Sequence, residues 1–378
     1  MKIIHLSDLH LGKRLNEFSL IDDQKYILIQ IRKIIDEERP DVVVIAGDVY
    51  DKSVPSAEAV ELFDDFLVSL SDRALQVCVI SGNHDSPERL AFGNRLMDKS
   101  GVHISPVYNG SVDPVRLRDR YGDVDIFLLP FIKPATVRPF FEDRNIITYT
   151  EAVEAAVSNM EIDPDKRNIL VTHQFVTGAK EAGSELNVGG SDNVDASLFD
   201  RFDYVALGHI HGPQNIGSER IRYCGTPLKY SFSEADHNKS VTVVELREKG
   251  SLAVRTVPLV PRRDLVDLTG TYEQLMSASF YEGTSYRDDY VRINLTNEEE
   301  IIDAITRLRT VYKNIMELKY KNTRSNTSNE ITGAEDVATK TPLQLFSEFY
   351  TLQNGIDMTE DQIGLLTELI DRVWEENQ

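Results

Sequence analysis

Five short strand-like runs, each ending in polar residues able to hold a metal ion, constrain this chain more than any other feature. Lys2-Ile3-Ile4-His5-Leu6 leads into Ser7-Asp8-Leu9-His10, and Val42-Val43-Val44-Ile45-Ala46 ends in Gly47-Asp48. Val77-Cys78-Val79-Ile80 precedes Gly82-Asn83-His84-Asp85. Ile169-Leu170-Val171-Thr172 runs into His173, and Tyr204-Val205-Ala206-Leu207 into Gly208-His209-Ile210-His211. Short runs that are apolar throughout suit strands buried on both faces. The amphipathic stretches at about 19–38 and 56–71 predict helices between the early strands, giving an α/β layered architecture. Ligands in such sheets gather beyond the carboxyl ends of the strands, so these loops are expected to converge on one site.

The pooled donors are two carboxylates (Asp8, Asp48), one amide oxygen (Asn83) and four imidazoles (His10, His173, His209, His211), with His84 left over. Oxygen and nitrogen donors without thiolate suit Mn²⁺, Fe or Zn²⁺. In Asp-x-His and His-x-His, alternate residues of an extended segment point the same way, so both side chains can reach one centre. A single strand-end histidine is ordinarily a hydrogen-bonded structural residue, and a single Gly-Asp is ordinarily a turn. Five such clusters together predict a metal site. His5 lies on the strand before the site and reads as structural, as do His103 and His237 outside the motifs.

Length and charge narrow the rest. At 378 residues the chain suggests two or three domains, and 41% hydrophobic with 27% charged residues is ordinary for a soluble protein. No apolar run approaches a bilayer span, and the chain opens directly on a strand rather than a signal peptide. Two cysteines, Cys78 and Cys224, in separate segments argue against a disulfide framework and for a cytoplasmic protein. A formal net charge of -21 is unusual for a chain that grips DNA unaided, so a partner is expected to supply part of any such grip.

The character changes at Pro261-Arg262-Arg263-Asp264. Beyond it, 290–295 reads as a strand, 297–311 as a helix and 314–320 as another strand, followed by a polar linker. Thr341-Pro342-Leu343-Gln344 and Thr359-Glu360-Asp361-Gln362 both read as capped helix starts. The expected domains are 1–262 with the metal site, 263–325 as a small α+β domain, 326–340 as linker and 341–378 as C-terminal helices.

Asp-x-His, Gly-Asp, Gly-Asn-His-Asp, a later His and Gly-His-x-His, in that order, resemble the calcineurin-like metallophosphoesterases. The resemblance implies their β-sandwich flanked by helices, with residues 263–325 as a capping domain. Within that superfamily the chain is most similar to the SbcD nucleases. This is carried by His5-Leu6-Ser7-Asp8-Leu9-His10-Leu11-Gly12, Ala46-Gly47-Asp48-Val49-Tyr50-Asp51, Ala206-Leu207-Gly208-His209-Ile210-His211 and, above all, Tyr223-Cys224-Gly225-Thr226-Pro227-Leu228-Lys229-Tyr230-Ser231-Phe232-Ser233-Glu234. The resemblance implies one metal held by Asp8, His10, Asp48 and His211, and a second by Asp48, Asn83, His173 and His209, with Asp48 bridging. Two such ions, most commonly Mn²⁺, clamp a phosphodiester and activate water for in-line attack. His84 then faces the scissile phosphate as a catalytic residue, and Asp85 is expected to orient its ring. Some members carry a second histidine shortly after the Gly-Asp; here that region holds Asp51 and no histidine.

The same resemblance implies a DNA nuclease, a 3′→5′ exonuclease on duplex ends and an endonuclease on single strands and hairpins. It would work with SbcC, an ABC-type ATPase, as a homodimer within a heterotetramer, in DNA repair, recombination and replication. No Gly-x-x-x-x-Gly-Lys-Ser/Thr occurs, so ATP dependence must come from elsewhere. Arg307, Arg309, Lys313, Lys319 and Lys321 form a basic stretch expected to face DNA, against the ordinary reading of a solvated surface. In the tail, Phe346 and Phe349 with the stripe Ile363, Leu366, Ile370 and Val373 are expected to dock on the ATPase rather than on their own domain. A stand-alone phosphodiesterase or phosphatase on a non-DNA substrate would share all the metal chemistry; the basic stretch and the tail count against it. A non-catalytic scaffold would have lost ligands or His84, and none is missing.

Overall fold

The computed structural model describes residues 1–180, 193–321, 342–354 and 357–375. They divide into two compact units, Met1–Leu265 and Val266–Gln378. The expected linker at 326–340 lies outside the described residues, as does the side chain of Val373.

The first unit is built on two six-stranded sheets. One contains β1 (Lys2–Leu6), β2 (Val42–Ala46), β3 (Gln76–Ile80) and β4 (Val102–Ile104), all parallel neighbours in that order. The other contains the antiparallel pair β5 (Pro114–Asp119) and β6 (Gly122–Leu129), then β7 (Arg167–His173) and β8 (Tyr204–Gly208) running parallel to β6. Two further strands complete each sheet: β9 (Gln214–Ile216) and β10 (Ser218–Tyr223) beside β8, and β11 (Ser240–Leu246) and β12 (Leu252–Pro258) beside β1.

Burial on both faces of the central strands follows from how the sheets stack. Ile3, Val42, Val44, Ala46, Cys78 and Ile80 of one sheet meet Val124, Ile126, Leu128, Ile169, Val171 and Ala206 of the other in a single buried cluster. The alternate residues Phe127, Leu129, Leu170, Val205 and Leu207 turn outward onto a helix at Tyr149–Ser158. On the first sheet, α1 (Ile21–Glu38) and α2 (Ala57–Ser71) pack together, with α2 against β3 and capped by the Ser56 hydroxyl. Each Val or Ile so enclosed contributes about 1.5–3 kcal/mol, which is why continuous apolar runs are tolerated here and nowhere on the surface. His173, last residue of β7, donates from Nδ1 to the carbonyl of Ala46, last residue of β2, across 2.8 Å. The two sheets therefore end at one edge of the sandwich, where the motif loops lie.

The second unit holds a three-stranded sheet of β13 (Leu265–Gly270), β14 (Tyr290–Leu295) and β15 (Asn314–Tyr320), the last two parallel. The helix expected over 297–311 shrinks to Ala304–Leu308. Asn297 accepts the Tyr272 N–H, the Ile301 N–H donates to the Tyr320 hydroxyl, and Asp303 adopts a left-handed φ of 55°. Those bonds to other elements hold the chain out of helix. The tail forms helices at Pro342–Asn354 and Glu360–Glu375, the second with the expected reciprocal cap between Thr359 and Gln362. No helix among the described residues is long and apolar enough to cross a membrane.

At the edge of the sandwich away from the motif loops, Arg167 is 2% exposed and donates two bonds to the Asp119 carboxylate, at 3.1 and 2.5 Å. Burial would raise the Asp119 carboxyl, but Arg167 and the chain's amino group outweigh it and hold it well below the usual range. Asp119 is half-buried and Arg167 buried, so losing the carboxylate leaves the guanidinium short of its counter-charge at a cost of about 1–3 kcal/mol, and Asp119→Asn should lower the urea-unfolding free energy by that order at pH 7. A carboxyl depressed on folding adds stability in full above its unfolded value near 3.8 and loses it as pH falls toward the folded value. The gap between wild type and Asp119→Asn should therefore begin to narrow below about pH 4 and go on narrowing as pH falls further; a gap independent of pH would contradict this.

Candidate metal centre

The loops after β1, β2, β3, β7 and β8 meet at the sandwich edge. Asp8, His10 and His211 each place a ligand atom within 4.8 Å of the others, and so do Asp8, Asp48 and His173. His10, Asp48 and His84 form a third such group. Asp48 faces both flanks, with its Oδ2 3.7 Å from His10 Nε2 and 3.4 Å from His173 Nε2. The amide oxygen of Asn83 lies 2.9 Å from His173 Nε2 and 3.0 Å from His209 Nδ1. All seven ligand candidates thus gather in one place, with Asp48 between His10 on one side and His173 on the other.

The route by which Asp8 and His10 reach the centre differs from the extended segment expected. Strand β1 stops at Leu6, and Asp8 and His10 take left-handed φ values of 52° and 43°. Asp48 and His209 do the same, at 48° and 104°. Such angles are uncommon outside glycine and persist where surrounding structure enforces them, typically at functional sites. Here the enforcement is visible: the N–H groups of Asp8 and His10 donate to the carbonyls of Gly47 and Asp48, so the two loops run side by side beyond their strands. The glycines of the motifs serve close approach. A Cβ on Gly82 would lie 2.1 Å from Asp48 Oδ1, and one on Gly208 would lie 1.9 Å from the Ala46 carbonyl oxygen.

Electrostatics favour a cation among these groups. Asp8 and Asp48 are both buried, and burial together with the neighbouring Asp48 charge raises the Asp8 carboxyl. Burial would lower His173, yet the Asp48 and Asp8 carboxylates outweigh it and push the imidazole up to about 9. The pocket therefore draws positive charge to the point between them. His10 is 1% exposed, and neither ring nitrogen has a hydrogen-bond partner. Leaving two buried ring nitrogens unsatisfied is costly unless they serve a ligand role. The Ala46 carbonyl accepts the bond from His173 Nδ1, which leaves Nε2 as the ring nitrogen that faces the centre. The donors present therefore fit divalent cations.

His84 lies at the margin of the cluster, next to the exposed Asn83. Its ring is exposed, edge-on to His10 with centroids 4.9 Å apart, and its Nδ1 donates to the Asp51 carbonyl at 3.0 Å. Asp85 does not orient that ring. Its carboxylate accepts the N–H groups of Gly82, Val49 and Tyr50, stapling the loop after β3 to the loop after β2. The carboxylate is aimed at backbone donors, and the His84 Nδ1 that it would have to meet is bonded to the Asp51 carbonyl instead. The Asp51 side chain pairs with Lys13 at 2.7 Å. Motif spacing did not single out Ser7, whose hydroxyl donates to Asp8 Oδ2 at 2.5 Å, or Glu234, whose Oε1 lies 2.8 Å from His211 Nδ1. Glu234 does stand in the run most similar to SbcD, the one signal that marked it.

Two family models match the chain. Calcineurin-like phosphoesterase covers residues 1–213, and Type 5 capsule protein repressor C-terminal domain covers 261–354. The SbcD subunit of the SbcCD nuclease from Staphylococcus epidermidis is 35% identical over 98% of this chain and 100% of its own length. Its counterpart in Staphylococcus saprophyticus is 33% identical over 100% of this chain and 99% of its own. The chain belongs to the SbcD family of calcineurin-like phosphoesterases. Among solved structures, a dimetal phosphatase from Danio rerio aligns over 68% of this chain and 96% of that one, at 13% identity and a TM-score of 0.41. As a member of the SbcD family the protein is a metal-dependent phosphoesterase, and its buried histidine–aspartate cluster has the donors to suit a divalent ion.

Outside the centre the expected surfaces are less uniform. Lys313 and Lys319 pair with Asp288 and Glu317, whereas Arg307, Arg309 and Lys321 are exposed and form no ion pair among the described residues. In the tail, Phe346, Phe349 and Ile363 are exposed, but Leu366 and Ile370 are half-buried; Leu365 and Leu369, outside the expected stripe, are exposed instead.

A ligand that binds only the folded state raises stability, by about 2.7 kcal/mol at a hundredfold excess over Kd. Adding Mn²⁺ to chelator-stripped protein should raise Tm by roughly 5–10 °C. Asp48→Asn should abolish most of that rise. An unchanged wild-type melt, or a full rise in the variant, would contradict the shared role of Asp48.

Proposed function

We propose that this chain is the Mn²⁺-dependent DNA nuclease subunit of an SbcCD-type complex, cleaving phosphodiester bonds at DNA ends. The observation that carries the reading is the gathering of Asp8, His10, Asp48, His173 and His211 within ligand reach of one another, with the exposed His84 anchored at their margin. In this reading Asp8, His10, Asp48 and His211 hold one ion and Asp48, Asn83, His173 and His209 the other. When bound, the two ions neutralise the phosphodiester and supply its nucleophile.

The remaining work falls to the chain itself. The His84 Nδ1–H is committed to the Asp51 carbonyl, so Nε2 is the ring atom that faces the leaving sugar oxygen; the doubly protonated ring gives its Nε2 proton there and is left neutral. Asp85 acts at one remove, by keeping the loop of His84 against the loop of Asp48. The His84 backbone N–H donates to Asp48 Oδ1 at 2.8 Å, so the proton donor and the shared carboxylate move together. Two relatives matched end to end are described as nuclease subunits of SbcCD, which supports DNA as the substrate and an SbcC-type ABC ATPase as the partner. Arg307, Arg309 and Lys321 are the cations available for phosphates, and Phe346, Phe349, Ile363, Leu365 and Leu369 the apolar surface available for the ATPase. The activity is 3′→5′ exonucleolytic on duplex ends and endonucleolytic on single strands and hairpins. The protein works in the cytoplasm as a homodimer within a heterotetramer, in DNA repair, recombination and replication.

The test is digestion of linear duplex and single-stranded DNA with Mn²⁺, beside a small chromogenic phosphodiester, with and without the ATPase. Chelator should stop cleavage, and His84→Ala should slow it by about 10²–10⁴-fold, the range for a positioned proton donor. Turnover of the small diester with no DNA cleavage, even with the ATPase present, would overturn the assignment.

A further inference from the structure

The run from Gly225 to Glu234 supplies no metal ligand, yet it wraps one half of the centre. Glu234 is fully buried, with Oε1 2.8 Å from His211 Nδ1 and Oε2 2.6 Å from the Lys239 ammonium. Lys239 is itself buried and also donates to the His211 carbonyl at 3.0 Å and to the Thr226 hydroxyl at 2.6 Å. The Thr226 N–H donates to the same His211 carbonyl, and a Cβ on Gly225 would lie 2.6 Å from that oxygen. Tyr230 donates from its hydroxyl to the Leu9 carbonyl at 2.5 Å and sets its ring edge-on to His10. His10 and His211 are thus braced from behind by a buried charge pair and a fixed backbone.

The other half is braced by neutral groups. His173 gives its Nδ1 proton to the Ala46 carbonyl, and His209 stacks on Phe131 and meets the edge of Phe175. A carboxylate on the far nitrogen of a ligating imidazole fixes the tautomer and makes the near nitrogen a stronger donor; a peptide carbonyl does the first but little of the second.

We propose that Glu234, clamped by Lys239, is a positioning residue that makes the two metal positions unequal. The Asp8–His10–His211 position binds its ion more tightly than the Asn83–His173–His209 position. This rests on the ligand assignment under Proposed function, though not on DNA being the substrate.

The experiment is Mn²⁺ titration of the full chain, read by the electron paramagnetic resonance of the free ion. Wild type should show two unequal sites. Glu234→Gln should weaken the tighter one by about 10–100-fold, the usual effect of losing such a partner, and leave the other unchanged. Introduced into His211→Ala, Glu234→Gln should add nothing, because it acts only through that ring. Should Glu234→Gln fail to fold with Lys239 left unpaired, Glu234→Gln with Lys239→Met removes the charge pair together and carries the same expectation. Equal weakening of both sites, no weakening, or further loss in the His211→Ala background would overturn the role of Glu234. Fewer than two ions on wild type would overturn the two-metal reading itself.

Discussion

Two carboxylates, Asp8 and Asp48, are buried where two β-sheets abut, and most of the first unit follows from keeping them there. Burial of like charges is unfavourable unless positive charge is brought between them. The surrounding histidines answer part of that demand, as the elevated His173 imidazole shows, and a divalent cation answers the rest. Parallel strands deliver the loops to one edge, and the left-handed turns at Asp8, His10, Asp48 and His209 bend the donors inward. The bond from His173 to the Ala46 carbonyl joins the sheets at the level of the site, so architecture and ligand geometry are set by the same contacts.

Much of this was legible in the sequence because burial on both faces leaves a plain mark. Val42–Ala46 and Arg167–His173 are buried at every residue, and a run of that kind can hardly be anything but a central strand. The candidate ligands stood out because glycine and a metal donor occur together just beyond such runs, and Gly82 and Gly208 lie where any side chain would strike the opposite loop. What the pattern could not show was direction. Asp85 follows His84 in sequence, which suggests a partner for the ring, but backbone N–H groups of its own loop and of the loop at Val49 and Tyr50, distant in sequence, claim its carboxylate. Glu234 is separated from His211 by a long excursion of chain, and no local period links them.

The second unit was harder to read for a related reason. The 297–311 segment has helical composition, but Asn297 and Ile301 bond to other elements, and only five residues become helix. Tertiary bonds override propensity most easily where a helix is short and its first turn has a competing partner. In the tail, helical spacing located an apolar stripe, yet two of its members, Leu366 and Ile370, are half-buried. The exposed apolar side chains Leu365 and Leu369 lie one position away, a shift that periodicity alone does not resolve.

The central claim is that Asp48 is shared between two ions at the meeting edge of the sheets. Crystals grown or soaked with Mn²⁺ and measured at a wavelength where manganese scatters anomalously test it directly. The account predicts two anomalous peaks about 3.5–4 Å apart, one against Asp8, His10 and His211, the other against Asn83, His173 and His209, and both against Asp48. A single peak, or a pair in which only one touches Asp48, would contradict it.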